Sequence, residues 1–163
     1  MAKRIYMKAL THRRATLEDI DEIRKLFQST VLTVNSKDYT PAETADWAAC
    51  GDSTEHWAIL INSQHFIIAT PPDGGIVGFA SIRNDGYLHS MYVHKDHQGE
   101  GVASFLLNII EDYAMRNGIR DITSDVSITA LPFFNGKGFT VEKEQKAKAT
   151  RLELTNYKMR KTL

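Results

Sequence analysis

The most regular hydrophobic pattern in the chain lies between residues 102 and 113. Apolar side chains recur there at steps of three and one, a spacing that keeps them on one face of a helix. The positions are Val102, Phe105, Leu106, Ile109, Ile110 and Tyr113. The preceding segment, residues 87–93, is rich in aromatic and branched side chains, which favour a strand. The pattern therefore predicts a strand over 87–93, a loop over 94–99 and a helix over 99–116.

Similar patterns divide the remaining chain into short helices and strands. Apolar stripes and N-terminal cap residues predict helices over residues 17–29, 41–49, 54–61 and 128–136. Branched and aromatic runs predict strands over residues 9–15, 65–70, 76–83, 119–126, 139–148 and 151–160. Residues 30–40 predict a polar connection, and residues 1–8 a tail or a strand extension. The order β-α-α-α-β-β-β-α-β-α-β-β indicates a mixed α/β protein, with strand 119–126 parallel to strand 87–93.

Two glycines lie at the start of the predicted helix, in the stretch QGEGVA at residues 98–103. Glycine in a helix interior costs about 1 kcal/mol relative to alanine, so a compensating use is expected. One such use is close approach of an anion to the first-turn amides, which lack helical acceptors and carry the positive end of the helix dipole. An ordinary tight turn is the alternative, because the stretch matches neither a Walker A loop nor the wider Rossmann glycine spacing.

Three segments resemble the GNAT N-acetyltransferases. QGEGVA, which follows MYV at residues 91–93, is similar to the acetyl-CoA signature Q/R-x-x-G-x-G/A of that family. The stretch SITALPFFNGKGF at residues 127–139 is similar to the second family block, N-x-x-A-x-x-F-Y-x-x-x-G-F. Residues 30–47 resemble the YafP-like branch of the family. The three matches follow the order of the family along most of the chain.

The resemblance implies a single domain over residues 1–163 with the GNAT fold: a central, mostly antiparallel sheet of six to seven strands with one parallel splayed pair, flanked by four to five helices. It also implies acetyl-CoA as the co-substrate and no metal. The pantetheine arm is expected to pair with strand backbone, and the diphosphate to rest on helix amides. The implied CoA-binding residues are Met91, Tyr92, Val93, Gln98, Gly99, Glu100, Gly101, Val102, Ala103, Ser104, Ser127 and Phe134.

The same resemblance suggests which residues catalyse the transfer. His89 stands where the family often carries Glu or Asp, and its ordinary pKa of about 6.5 suits a base that deprotonates an amine. Tyr87 shares its face of the strand, two residues earlier. Phe134 occupies the position of the tyrosine that many members use to protonate the CoA thiolate, and it lacks a hydroxyl. Tyr92 is either a replacement donor or a packed strand tyrosine; Asp125 is either a second base or a solvated carboxylate.

The resemblance places the acceptor opposite the CoA arm, against the first helices. Candidate wall residues there are Tyr39, Trp47 and Trp57, with His56 beside them, and core packing is the alternative for each. Cys50 is expected to be a small buried residue without a catalytic role. These residues form no acidic or basic cluster, so the charge of the acceptor is left open.

Composition narrows the class of protein. The 163 residues are 42% hydrophobic and 25% charged, values typical of a globular domain. A formal net charge of zero argues against general binding to nucleic acid or to an anionic membrane. The single cysteine excludes an internal disulfide framework and agrees with a reducing cytoplasm. Apolar runs are far shorter than the ~20 residues of a membrane span.

The sequence thus predicts a cytoplasmic, acetyl-CoA-dependent N-acetyltransferase, monomeric or homodimeric, that modifies a primary amine of a small-molecule or peptide acceptor. The alternative is a GNAT module that binds acyl-CoA and has lost turnover, an interpretation that Phe134 keeps open.

Overall fold

The computed structural model describes residues 9–163, so the expectation for residues 1–8 lies outside the described part. Within it the chain forms five α-helices and seven strands in the predicted order. The helices are α1 (Ile20–Thr33), α2 (Pro41–Ala48), α3 (Thr54–Ser63), α4 (Val102–Arg116) and α5 (Leu131–Gly136). The strands are β1 (Thr11–Arg14), β2 (His65–Thr70), β3 (Gly78–Ile82), β4 (Leu88–Val93), β5 (Asp121–Ser127), β6 (Thr140–Lys148) and β7 (Glu153–Thr162).

The strands form two antiparallel half-sheets that meet at one parallel contact. β1, β2, β3 and β4 are neighbours in chain order, and the second half-sheet has the order β5-β7-β6. Tyr87, just before β4, forms a parallel bridge with Thr123 of β5. Gly86 permits this crossing, because its φ is +92° and a Cβ there would lie 2.3 Å from the Asp121 carbonyl oxygen.

Apolar side chains cover both faces of the sheet. On one face Leu106 and Ile110 of α4 are fully buried against strand residues such as Ala80. On the other face Phe27 of α1 and Trp57 of α3 pack in a second cluster. No helix within residues 9–163 combines the length and the apolarity needed to cross a bilayer.

Residues 30–40 differ from the predicted polar connection. α1 continues to Thr33, and a 3-10 turn follows at Asn35–Lys37. Thr30 and Val31 are buried, and the Thr30 hydroxyl donates a hydrogen bond to the Val93 carbonyl at 2.9 Å. The contact with β4 therefore extends the helix past the point where its hydrophobic pattern weakens.

The helix α4 begins later than the sequence predicts, at Val102 instead of residue 99. Gly101 immediately before it has φ +83°, a left-handed conformation that an α-helix does not contain. Gly99 also has a positive φ, of +70°. The glycine pair thus forms the turn that leads into the helix instead of its first turn.

Candidate active site

A cavity of about 440 Å³ opens where β4 and β5 diverge. Beyond the Tyr87–Thr123 bridge, the contact between the strands is a hydrogen bond of 2.8 Å from the Ser124 hydroxyl to the Leu88 carbonyl. From there β4 follows β3 and β5 follows β7, so the two strands separate. We call this space the splay cavity. Its walls include Met91–Val93 on β4, residues 124–127 on β5 and the start of α4.

The exposed edge of β4 offers backbone groups to the splay cavity that have no partner among residues 9–163. The His94 N–H donates to the Val77 carbonyl at 2.8 Å, so the backbone of His94 faces β3. Peptide groups alternate sides along a strand, hence those of Met91 and Val93 point towards β5. The Val93 carbonyl already accepts hydrogen bonds from Thr30 and from Gln98 Nε2, the latter at 2.8 Å. The Met91 peptide groups and the Val93 N–H therefore form the available edge.

The expected pantetheine contact with the backbone of residues 91–93 stays a prediction. Within that stretch the backbone of Tyr92 faces β3, where Tyr92 pairs with Phe79, so the open edge belongs to Met91 and Val93. Tyr92 lines the cavity through its side chain.

The first turn of α4 closes one end of the splay cavity. The first helical hydrogen bond runs from the Phe105 N–H to the Gly101 carbonyl at 3.0 Å. The N–H groups of Val102, Ala103 and Ser104 consequently lack an acceptor among residues 9–163 and carry the positive end of the helix dipole. Gly101, which has no side chain of its own, leads into the helix in the left-handed conformation.

Eleven of the twelve predicted CoA-binding residues line the splay cavity; the exception is Glu100. The Glu100 carboxylate lies 2.9 Å from Nδ1 of His97, and its side chain is only 14% exposed. The carboxylate is therefore engaged by His97 and is not part of the cavity lining. Ser127 accepts a hydrogen bond from the Ala130 N–H at 3.1 Å, and Phe134 is buried between Phe133 and Phe139.

A second cavity, of about 360 Å³, lies on the side of the sheet that faces α1–α3. We call it the aromatic cavity. Its lining includes every residue that the sequence proposes for the acceptor wall, together with both proposed catalytic residues. These are Tyr39, Trp47, His56, Trp57, Tyr87 and His89. The far wall comes from the β6–β7 hairpin, at residues 147–149 and 154–156.

The two cavities meet at a common set of side chains. Five residues line both of them: Trp47, His89, Tyr92, Asp125 and Ser127. They come from α2, β4 and β5, which lie next to each other at this point. A group bound along β4 and a group bound in the aromatic cavity would therefore both border these five side chains.

His89 reaches the junction through a β-bulge. Ser90 pairs with Ser81 and Leu88 pairs with Ile82, which leaves His89 as the extra residue on β4. Its Nδ1 lies 2.7 Å from the Ser90 hydroxyl oxygen. Burial among protein atoms, assisted by the charges of His56 and Arg83, lowers the pKa of the imidazole below its ordinary value. The ring is therefore neutral at pH 7 and able to accept a proton.

Tyr87 lies beside His89, with ring centroids 6.1 Å apart, but its hydroxyl is committed to another partner. It donates a hydrogen bond to Asp125 Oδ2 at 2.8 Å. Burial and this hydrogen bond raise the pKa of Tyr87. Tyr87 thus stays protonated with its hydroxyl bonded to Asp125, and the catalytic role that the sequence suggests for it stays a prediction.

Tyr92 is both a packed strand tyrosine and a residue of the junction. Its ring packs edge-on against Phe27 at 4.9 Å and lies 5.4 Å from the ring of Phe79. Burial raises the pKa of its hydroxyl, which therefore remains protonated at neutral pH. The sequence left open whether Tyr92 is a proton donor or a packed strand tyrosine, and its position is compatible with both.

Two of the proposed wall residues also hold the site together. The Tyr39 hydroxyl donates to the Thr155 carbonyl at 2.7 Å and accepts from the Ile128 N–H at 3.0 Å. The Trp57 indole N–H donates to the Gly51 carbonyl at 2.9 Å. The polar ends of both rings are therefore satisfied inside the protein, and only their apolar surface faces the aromatic cavity.

Sequence reasoning missed Asp46, which fastens the β6–β7 hairpin to α2. Its buried Oδ2 accepts hydrogen bonds from the N–H groups of Leu152, Arg151 and Thr150, at 2.9, 2.8 and 2.9 Å. These bonds lower the pKa of the carboxyl to about 2. Asp46 thereby sets the far wall of the aromatic cavity. Its partners lie more than a hundred positions along the chain, and no local motif indicates them.

The chain is similar to known proteins in sequence and in structure. Residues 35–161 match the family model of the acetyltransferase (GNAT) domain. The N-acetyltransferase YafP of Escherichia coli K12, named as uncharacterised, is 29% identical over 150 residues, which cover 87% of this chain and 89% of YafP. A GCN5-related N-acetyltransferase from Rhodopseudomonas palustris superimposes with a TM-score of 0.90 at 27% identity, covering 94% of this chain and 95% of that one.

The PaiA N-acetyltransferase from Thermoplasma acidophilum, solved in complex with coenzyme A, has a TM-score of 0.78 at 17% identity over 94% of this chain and 99% of its own. The predictions of family and fold class are confirmed. Because the family model covers most of the chain, this protein belongs to the GNAT family of acetyltransferases.

Proposed function

We propose that this enzyme transfers the acetyl group of acetyl-CoA directly to the primary amine of a small-molecule acceptor, without a covalent enzyme intermediate. One observation carries the proposal: two cavities, each suited to one substrate, meet at the five residues of the junction. Direct transfer requires that the amine and the thioester be held in contact, which this arrangement allows.

The residues of the splay cavity fit the chemistry of CoA. Pantetheine contains two amides, which can pair with the free peptide groups of Met91 and Val93 as an added strand would. A diphosphate fits the unpaired amides at the start of α4. Glu100, the one acidic residue within 98–104, is bonded to His97 and is not part of the cavity lining. The Thermoplasma relative that binds coenzyme A shares the fold and supports this assignment.

His89 is the proposed base. An alkylamine is largely protonated at pH 7, since its pKa is ~10.4, and it must lose a proton before it attacks. The neutral imidazole of His89 accepts that proton. The amine nitrogen then forms the C–N bond to the acetyl carbon, the C–S bond breaks, and the nitrogen loses its second proton.

Tyr92 is the proposed proton donor to the departing thiolate. Phe134, at the position of the family tyrosine, packs in the core and carries no hydroxyl. The Tyr92 hydroxyl remains protonated because burial raises its pKa, and the residue lines both cavities. It protonates the sulfur and regains a proton from the product nitrogen through solvent.

A thiol-release assay tests the proposal. The purified protein is incubated with acetyl-CoA and a panel of alkylamines, arylalkylamines, amino acids and short peptides. We expect enzyme-dependent release of free CoA with at least one amine, together with the N-acetylated product by mass spectrometry. Saturable binding of acetyl-CoA without release across the panel would instead support the acyl-CoA-binding module that Phe134 suggests.

A further inference from the structure

Asp125 is the sole carboxylate among the described residues that line the aromatic cavity. It lies on β5 and belongs to the junction. Its Oδ2 accepts from the Tyr87 hydroxyl and its Oδ1 accepts from Gln145 Nε2, both at 2.8 Å. These neutral donors fix the carboxylate in place without neutralising its charge.

Within the described part of the chain, the Asp125 carboxylate takes part in no ion pair. Among residues 9–163, no lysine, arginine or histidine lies within ion-pair distance of it. The nearby Arg83 is paired with Asp85 and stacks over the Tyr87 ring at 4.7 Å. An ionised carboxylate has about four acceptor positions, and Tyr87 and Gln145 occupy two of them. Two positions remain for a cation in the cavity.

One wall of the cavity that Asp125 lines is aromatic, and the β6–β7 hairpin opposite adds polar side chains that include Lys148 and Asn156. Trp47 lies edge-on to Tyr39 at 5.4 Å and to Tyr92 at 6.4 Å, and Trp57 and Phe27 continue the wall. Since the polar ends of Tyr39 and Trp57 are bound within the protein, this wall offers ring faces and edges. Aromatic faces attract both flat apolar groups and organic cations.

We propose that the acceptor is an arylalkyl ammonium compound, bound with its ammonium on Asp125 and its aromatic body against Trp47. This inference rests on the proposed function and adds the substrate class. Asp125 lines both cavities, so an ammonium bound there lies at the junction and beside His89, which takes its proton. Asp125 is thus a binding residue with an aligned carboxylate, and Tyr87 and Gln145 are its positioning residues.

The test compares a cationic probe with a neutral probe of the same shape. Phenethylamine and 2-phenylethanol are titrated into the enzyme saturated with CoA, and binding is followed by ligand-observed NMR. The measurements use the wild type, Asp125→Asn and the matched control Asp73→Asn, which removes a carboxylate from the exposed 71–75 turn. The amide introduced by Asp125→Asn keeps an oxygen for the Tyr87 hydroxyl, and thermal unfolding checks the fold of each variant.

We expect wild-type enzyme to bind phenethylamine more tightly than 2-phenylethanol. Asp125→Asn should weaken phenethylamine binding at least ~10-fold, the range for loss of a charged hydrogen bond, with no change for the alcohol. Asp73→Asn should change neither. Equal binding of the two probes by the wild type, or phenethylamine affinity unaltered in Asp125→Asn, would overturn the inference.

The outcome is separable from that of the proposed function. Thiol release with amines that is independent of Asp125 refutes the inference and leaves acetyl transfer intact. Phenethylamine binding that depends on Asp125, without thiol release from any amine, supports the ammonium site and refutes the transfer.

Discussion

The splay cavity and the aromatic cavity are built in opposite ways. About half of the splay-cavity lining comes from the continuous stretch from β4 to the first turn of α4, which offers backbone groups as polar surface. The aromatic cavity collects side chains from residue 27 to residue 156, contributed by helices and strands of both half-sheets. CoA is the same in every reaction of such an enzyme, so the backbone groups of one continuous segment can bind it. The variable substrate meets side chains that can change without altering that segment.

The first prediction concerns the first-turn amides of α4, which are proposed to bind the diphosphate of CoA. Gly101→Val places a β-branched residue at φ +83°, which costs roughly 1–2 kcal/mol and displaces the first-turn amides. We expect acetyl-CoA affinity to fall at least ~100-fold, as for loss of several charged hydrogen bonds. Isothermal titration calorimetry measures it.

Gly74→Val is the matched control, because Gly74 has φ +86° with open space around it and lies outside both cavities. It should carry the same backbone strain with unchanged CoA binding. Similar acetyl-CoA affinities for Gly101→Val and Gly74→Val would contradict the binding of the diphosphate by the first-turn amides of α4.

The second prediction concerns the junction. His89→Gln should lower kcat/KM ~100-fold, the lower range for a general base, with acetyl-CoA affinity retained. Since burial lowers the pKa of His89, the wild type should keep its active neutral form at pH 6.5 and lose activity only below that pH. The pH profile of kcat/KM checks this: the acidic limb should vanish in His89→Gln and persist in His94→Gln, which lies outside both cavities.

The third prediction tests the leaving-group donor. Tyr92→Phe should reduce kcat ~10-fold while the affinity for CoA stays the same, because only a proton donor is removed and water can replace it in part. Steady-state kinetics with acetyl-CoA measure the effect. An unchanged kcat would assign Tyr92 to packing alone.

The fourth prediction addresses the long-range construction of the aromatic cavity. Asp46→Asn weakens the acceptor of three backbone N–H groups and should lower the thermal midpoint at pH 7. The folded pKa of Asp46, about 2, is below its ordinary value of 3.8, so this stabilisation is present above pH 4 and is lost as the pH falls towards 2. Thermal unfolding should therefore show the two proteins converging at acid pH. A constant difference would contradict the ionised role of Asp46.

The contrast also explains what sequence could predict. Local signals sufficed for β4 and the body of α4, because the periodicity and the motif lie within thirty residues. They placed the start of the helix at residue 99, whereas the glycines form the turn before Val102. The bulge at His89 left no such signal, since it depends on the register between β3 and β4. Asp125 could be noticed but not interpreted, because its partners Tyr87 and Gln145 are distant in the chain. Likewise the burial of Thr30 against Val93 overrode the polar pattern at the end of α1.

The central claim is that acetyl-CoA lies along β4 with its diphosphate on the amides of Val102, Ala103 and Ser104. An NMR titration of amide-labelled enzyme with acetyl-CoA tests it most directly. We predict large shift changes for these three amides and for Met91, and small ones for the Trp57 indole N–H, which is bonded to Gly51 beside the other cavity. Saturation with the four amides unmoved would contradict the account.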